Sequence, residues 1–196
     1  MITRCGESIR AMHPLFQVGQ GGSIPTSPLH LRFFEVDKEW ASRLNREWHS
    51  RFPELGGGAA RVCYGAQHEG RMYAVAVWTN PSSPKLPQFS WLMLKRYAIA
   101  DDAPRYTASR MLGWMTRDVR PRFTEVTTLV SYYDPDVHDG SIYAACGWSN
   151  PVITRRTKST RWKNRTRRHT GNADAQRVAR VTKVIRGAQK EVAHAS

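Results

Sequence analysis

The chain has 196 residues, a length typical of one domain with an appendage. Its 40% apolar content excludes a wholly disordered chain, and no apolar run is long enough to span a membrane. The start of the chain lacks the apolar stretch of a secretory signal, and its three widely spaced cysteines disfavour a disulfide scaffold or a structural zinc site. We therefore expect a globular protein of a reducing compartment.

Positive charge is concentrated towards the C-terminal end. The formal net charge is +14, and residues 151–196 contribute 13 Lys and Arg against 2 acids, which leaves residues 1–150 close to neutral. This asymmetry indicates a polyanionic partner, nucleic acid above all. The alternative is a solvated tail that only aids solubility.

The first predicted elements follow an irregular lead-in, residues 1–28. Residues 29–36 are apolar and aromatic-rich, and their partial alternation predicts a strand. Asp37 is placed to cap a helix over residues 38–52. The apolar stripe of this helix consists of residues four positions apart: Trp40, Leu44 and Trp48.

Alternation and turn residues predict four further strands, at residues 61–66, 72–79, 89–99 and 126–133. Helical spacing and cap residues predict helices at residues 101–119, 141–146 and 173–193. The last would be an amphipathic terminal helix, with Val178, Val181, Val184 and Ile185 on its apolar face. Residues 151–168 are basic and predict either a final hairpin or an extended arm.

The predicted order β-α-β-β-β-α-β-α is typical of an α/β fold with a mixed central sheet flanked by helices. We expect three parts: a lead-in at 1–28, a catalytic domain at 29–150, and at 151–196 a basic extension with a nucleic-acid-binding arm and a C-terminal helix. The second helix starts with a polar, exposed turn, where Arg105 and Ser109 would hold a phosphate of a cofactor or of DNA. Their alternative roles are helix capping and a solvated Arg.

Three segments resemble the GNAT acyltransferases. Residues 91–99 (WLMLKRYAI) and 104–113 (PRYTASRMLG) lie where that family has its cofactor-contacting strand and pyrophosphate loop, and residues 142–148 (IYAACGW) resemble its late Tyr, Gly and aromatic element. The resemblance implies a GNAT-like sheet and makes Tyr143 the proton donor to a leaving group. The family's loop has a small residue where this chain has Arg110, which predicts weak or absent acetyl-CoA binding.

A closer resemblance, over roughly residues 30–150, is to the Mom-like DNA modification proteins of phages. Its most specific part is the pattern Ser-Tyr-x-Asp, His-x-Gly-x-Ile-Tyr and Gly-Trp between residues 131 and 148. The resemblance implies a phage-encoded enzyme of the host cytoplasm that converts adenine in double-stranded DNA to N6-(carbamoylmethyl)adenine or a related derivative, which blocks restriction. It implies a catalytic site made of His49, Tyr64, Asp134 and Tyr143.

These four residues form a set of nitrogen and oxygen donors that would suit iron. Their alternative roles are a surface helix position for His49, core phenols for Tyr64 and Tyr143, and turn chemistry for Asp134 in a loop rich in Pro and Asp. We predict that all four face one cavity, which opens between splayed strands at residues 89–99 and 126–133.

A cluster of cations around one Trp is predicted to track DNA phosphates and to stack on a base. Its members are Arg155, Arg156, Lys158, Arg161, Trp162, Lys163, Arg165, Arg167 and Arg168. Two other functions remain open: a GNAT N-acetyltransferase of a protein or small amine, and a non-enzymatic DNA-binding protein on the same fold.

Overall fold

A seven-stranded mixed sheet forms the centre of the protein. The computed structural model describes residues 23–49, 52–56, 58–155 and 177–187. The strands are β1 (Arg32–Glu35), β2 (Val62–His68), β3 (Arg71–Thr79), β4 (Trp91–Ile99), β5 (Thr128–Tyr133), β6 (Val152–Arg155) and β7 (Arg177–Val184). Their order across the sheet is β1-β2-β3-β4-β5-β7-β6. All neighbours are antiparallel except β4 and β5, which are parallel.

Three helices cover the two faces of the sheet: α1 (Lys38–Trp48), α2 (Thr107–Arg122) and α3 (Ser141–Ala145). On one face, Leu44 of α1 is fully buried in a cluster with Val75 and Val77 of β3. On the other face, Met111 and Met115 of α2 belong to a larger apolar cluster that also contains Tyr143 and Trp148. This arrangement confirms the predicted α/β fold with a mixed central sheet. No helix within the described residues is long and apolar enough to cross a membrane.

Helix α1 begins where the sequence predicts and ends earlier. The Asp37 carboxylate accepts a hydrogen bond from the Trp40 N–H at 3.2 Å, which confirms the N-cap. The helix was predicted to reach residue 52, but it ends at Trp48. The fully buried Asn45 explains the early end, because its amide donates at 2.8 Å to the carbonyls of Phe52 and Pro53 and turns the chain back.

Helix α2 starts later and runs further than predicted. Tyr106 precedes it with a left-handed backbone (φ 67°), so residues 101–106 form turns instead of the first helical turn. Pro121 was expected to close the helix, but it lies inside its last turn. It has no N–H to donate to the preceding helical turn, and the helix ends at the next residue, Arg122.

The predicted C-terminal helix over residues 173–193 is wrong, since Arg177–Val184 forms strand β7. This segment pairs with β5 along Thr128–Tyr133 and with β6 on its other side. Its density of β-branched residues favours a strand, and the backbone groups of β5 provide the partner. The boundary predicted at residue 150 is also wrong, because β6 and β7 belong to the same sheet as the strands before it.

In the strand, Val181 is buried (2% exposed) and Val184 is exposed (70%), whereas the predicted helix has both on its apolar face. A stability measurement can therefore distinguish the two. We expect Val181→Ala to lower the free energy of unfolding by about 1–3 kcal/mol and Val184→Ala by less than about 0.5 kcal/mol. Urea unfolding of both variants tests this, and equal losses would contradict the strand.

Candidate functional site

The parallel strands β4 and β5 separate halfway along their length. Their pairing runs from Trp91–Leu94 against Thr128–Ser131 and stops there. One residue later the register of β4 against β3 shifts: Trp78 pairs with Leu94 and Val77 with Arg96, so Lys95 is an extra residue on β4. The two strands then diverge, as predicted, and leave a notch between them.

A cavity of about 1070 Å³ occupies this notch. Three of the four predicted site residues line it: His49, Asp134 and Tyr143. Aromatic side chains make up much of the remaining wall: Trp48, Phe52, Tyr97, Tyr132 and Tyr133. The volume lies at the upper end for a small-molecule site, so it has room for more than one reactant.

Tyr143, the third residue of α3, lies at the apex of the notch. Its phenol is 2.8 Å from the Ser131 hydroxyl, which in turn donates to the Leu94 carbonyl at 3.5 Å across the last strand pair. The ring is 6% exposed and stacks on Tyr133, with centroids 5.6 Å apart. Burial raises the pKa of the Tyr143 phenol above its ordinary value, so it keeps its proton at neutral pH.

A glycine permits this aromatic stack to lie against the loop before α3. Gly140 has a φ of 75° and caps the helix. A Cβ atom there would lie 2.4 Å from the Tyr133 hydroxyl oxygen and 2.7 Å from the adjacent ring carbon. No other residue fits without moving the tyrosine.

Asp134 ends β5 at the open side of the notch and organises the loop that follows. Its Oδ1 accepts a hydrogen bond from the Asp136 N–H at 2.9 Å, and its carbonyl accepts from the N–H groups of Val137 and His138. Asp134 therefore shapes this turn through its side chain and its carbonyl, and it also lines the cavity. The loop brings His138 and Asp139 to the cavity wall beside it.

His49 is the C-cap residue of α1 and reaches the cavity from the other face of the sheet. Its Nδ1 accepts a hydrogen bond from the Phe52 N–H at 3.3 Å. Burial, with the positive charges of Arg96 and His138 as smaller causes, lowers the pKa of His49 to about 4. The neutral ring with Nδ1 as acceptor carries its proton on Nε2.

Tyr64 was predicted to face the same cavity, and this is wrong. The side chain is fully buried in the cluster under α2, where its hydroxyl donates to Asp118 Oδ2 at 2.6 Å and its ring meets Trp114 edge-on. Its neighbour Cys63 belongs to the cluster under α1. Alternation along β2 therefore places Tyr64 away from the α1 face, against the flank of α2.

The predicted iron ligands do not come together, because Tyr64 lies outside the cavity that the other three line. Among the described residues, no group of three or more His, Cys, Asp and Glu side chains could hold a metal ion. The donor set that suggested iron is thus not assembled, and no step of the chemistry is derived through a metal.

The start of α2 borders the cavity through Ala108. The predicted anion-binding pair lies outside the cavity wall: the Ser109 hydroxyl donates to the Tyr106 carbonyl, and the Arg105 guanidinium lies over the Tyr106 ring. The Arg110 guanidinium lies over Phe33 of β1, 5.9 Å from its ring centroid. Its charged group therefore lies against β1, and the weak acetyl-CoA binding expected from Arg110 stays a prediction.

Arg96 is a site residue that the sequence reasoning missed. It lines the cavity, its guanidinium lies 5.0 Å above the Phe52 ring, and it donates to the carbonyls of Lys95 and Glu54. The signal was visible: two adjacent cations interrupt the otherwise apolar strand WLMLKRYAI. A charge in the middle of a buried strand costs free energy, which favours a functional reason for its presence.

Of the nine residues predicted to bind DNA, Arg155 is the last residue of β6, and the other eight lie outside the described residues. Arg155 pairs with Arg177, the first residue of β7. The next residue, Val178, lines the cavity. The first residue of the basic segment (residues 155–168) and the first residue of β7 are therefore paired next to the cavity wall.

Known structures share this fold. The chain resembles the ribosomal-protein-S18-alanine N-acetyltransferase from Escherichia coli (TM-score 0.57, 15% identity, 83% of this chain and 98% of that one). It also resembles an acetyltransferase of the GNAT family from Streptococcus pneumoniae (0.54, 11%, 79% and 98%). A third is a putative acetyltransferase from Salmonella typhimurium solved with acetyl-CoA (0.55, 9%, 84% and 99%). At these identities the similarity shows the GNAT fold alone.

Comparison of the sequence with protein families gives a more specific result. The family model of the Mom protein family matches residues 30–195. No curated protein matches the chain. The family match extends beyond residue 150, where the resemblance seen in the sequence ended, and includes both C-terminal strands.

The position of Tyr64 predicts a structural effect of its removal. Tyr64→Phe leaves the Asp118 carboxylate without a buried donor, so we expect the free energy of unfolding to fall by about 1–3 kcal/mol. The matched control is Tyr106→Phe, at a ring that is 69% exposed, which should cost less than about 0.5 kcal/mol. Unchanged stability of Tyr64→Phe with complete loss of activity would contradict this assignment.

Proposed function

Since the chain belongs to the Mom protein family, we propose that it converts adenine in double-stranded DNA to N6-(carbamoylmethyl)adenine or a related derivative. Such an enzyme is a phage-type transferase of the host cytoplasm that protects DNA from restriction. The observation that carries the proposal is the cavity between β4 and β5, where the carboxylate of Asp134 and the phenol of Tyr143 line one space.

The cavity wall supports binding of an extruded base. An enzyme that modifies an atom inside a duplex must rotate the nucleotide out of the stack, at a cost of a few kcal/mol. Stacking on aromatic rings offsets about 1–3 kcal/mol of this cost per base. Tyr132 is the most exposed of the tyrosines in this wall, at 36%, and stands beside Asp134 at the end of β5. We propose that the extruded base stacks on a ring of this wall, that of Tyr132.

The two groups in the notch have complementary proton chemistry. The adenine N6 amine must lose a proton when it gains a substituent, and the carboxylate of Asp134 is the acceptor we assign. The Tyr143 phenol carries its proton at neutral pH, as any tyrosine does, and we assign it as the donor to the group that leaves the donor molecule. His49 presents Nε2–H to polarise a carbonyl or amide oxygen.

Binding to the duplex belongs to the basic segment in this proposal. Its eight cations lie within fourteen residues and would neutralise several phosphates, a term that dominates affinity and makes it depend on salt. Because Arg155 and Arg177 pair beside the cavity, DNA bound by this segment would lie next to the notch.

Removal of either reacting group should abolish modification. We expect Asp134→Asn and Tyr143→Phe each to lower the yield of modified adenine by about 100-fold or more, with DNA affinity and thermal stability maintained. Nucleosides from DNA of expressing cells would be measured by mass spectrometry. The matched controls are Asp136→Asn in the same loop and Tyr106→Phe on the surface, neither of which lines the cavity.

Near-normal yield in both site variants would overturn the assignment of the two residues. A second candidate function is amine acetylation, which is favoured by the open start of α2 beside the cavity at Ala108. It predicts an acetylated amine from purified protein and acetyl-CoA without DNA, and an unmodified nucleoside profile in cells. That combination of results would replace the proposed function.

Charge removal from the basic segment should weaken DNA binding evenly across sequences. Replacing Arg165, Arg167 and Arg168 with Gln should reduce duplex affinity and lower the slope of log affinity against log salt by about one for each lost phosphate contact. The matched control removes the same charge from exposed positions elsewhere: Arg32, Arg43 and Arg120. Equal affinities and slopes for the two triple variants would contradict the assignment.

A further inference from the structure

Arg96 is a cation in the cavity that has no carboxylate partner in the part of the chain that the structure describes. None of the ion pairs among the described residues includes it, and its two hydrogen bonds go to the neutral carbonyl oxygens of Lys95 and Glu54. Its Nε–H group is buried and has no acceptor among the described residues. Burial of the charge also lowers the pKa of Arg96. The side chain as a whole is half-buried, so its charge has lost part of its hydration, and an incoming anion would compensate for that loss.

The guanidinium is held in place before any ligand arrives. It lies over the Phe52 ring, 5.0 Å from the ring centroid, and its bond to the Glu54 carbonyl joins it to the segment after α1. That segment is fixed from behind by the buried amide of Asn45. Arginine presents its donors in a rigid fork that matches the two oxygens of a carboxylate or phosphate. A fixed fork loses little side-chain entropy on binding.

Arg96 and the start of α2 lie on opposite faces of the sheet. Arg96 pairs with Val77, which belongs to the cluster under α1. The next residue, Tyr97, faces the other way and donates to the Ala108 carbonyl of α2 at 2.7 Å. A phosphate held at the start of α2 would therefore not reach Arg96. The anion that Arg96 receives must enter from the α1 face, together with the substrate that approaches His49.

We propose that Arg96 is the anion-binding residue of the substrate side of the cavity, and that it holds an oxyanion carried by one of the two reactants. This inference rests on the proposed function for the identity of those reactants. Two sources share the chemistry: a backbone phosphate of the extruded nucleotide, and a carboxylate on the small donor. Either would sit against the fork of Arg96 with the reacting atoms towards Asp134 and Tyr143.

The test measures binding to the full-length protein with small probes, by calorimetry and by NMR. The probes are deoxyadenosine 5′-monophosphate, deoxyadenosine, inorganic phosphate and acetate. Arg96→Gln removes the charge, Arg96→Lys keeps it without the fork, and Arg43→Gln is the control, since Arg43 is exposed and lies over Trp40 outside the cavity. Thermal unfolding reports whether each variant is folded.

We expect Arg96→Gln to weaken binding of an oxyanion probe by about 10-fold to 100-fold, with Arg96→Lys in between and Arg43→Gln unchanged. Deoxyadenosine has no anionic group, so its affinity should not depend on Arg96. Dependence for the nucleotide and phosphate identifies the phosphate as the source. Dependence for acetate alone identifies a donor carboxylate. If no oxyanion probe binds in a manner that depends on Arg96, the proposal is overturned.

The pKa of His49 provides a second test, which uses the unmodified protein and needs no variant. The positive charge of Arg96 contributes to the low pKa of this ring. A bound oxyanion would offset that charge, so saturating probe should raise the pKa of His49 above about 4 in the unmodified protein. An unchanged titration with bound probe would count against the site. None of these measurements needs modified DNA, so the anion site and the proposed function can fail separately.

Discussion

The divergence of β4 and β5 is the constraint from which the site follows. Parallel strands normally continue as long as both have partners, but here the extra residue Lys95 bends β4 away just after the last pair. The divergent half of β4 keeps its hydrogen bonds to β3, and that of β5 keeps its bonds to β7. Beyond the last pair, the backbone groups of β4 and β5 that point towards each other leave the β4–β5 ladder and border the cavity instead.

Because the notch passes through the sheet, it collects side chains from both faces. Tyr143 comes from the face covered by α2 and α3, whereas His49 and Arg96 come from the face covered by α1. A phenol kept protonated by burial and a cation held over an aromatic ring thus meet across a single cavity.

Local signals in the sequence were sufficient for most elements and insufficient for the choice of face. The cap at Asp37 and the Glu69-Gly70 turn between β2 and β3 are encoded within a few residues, and both are present in the structure. Tyr64 shows the limit: Cys63 and Tyr64 are adjacent and face opposite ways, so the site prediction depended on a single step of alternation. Which helix covers which face is decided by long-range packing.

The C-terminal strand illustrates a different limit. Val178, Val181 and Val184 fit a helical spacing, but Ala179 and Val181 are the residues that are buried, with a spacing of two. The backbone of β5 needed a partner on its free side, and a distant segment rich in β-branched residues provided it. A local stretch of ten residues shows neither that β5 lacks a partner strand nor which segment provides one. Arg96 was missed for a related reason, since its isolation from carboxylates appears only once the strands are assembled.

The same strand pairing changes how the basic charge relates to the site. Seen in the sequence, the cations form an extension that follows a catalytic domain. In the sheet, β6 and β7 flank them, and the pair Arg155–Arg177 lies one residue from the cavity wall at Val178. In the proposed function, this pairing would bring phosphate affinity to the side of the cavity where a base is extruded, whereas a free tail would spread that affinity over a larger volume. Attraction to the duplex and discrimination of the base would then be carried by neighbouring but separate groups.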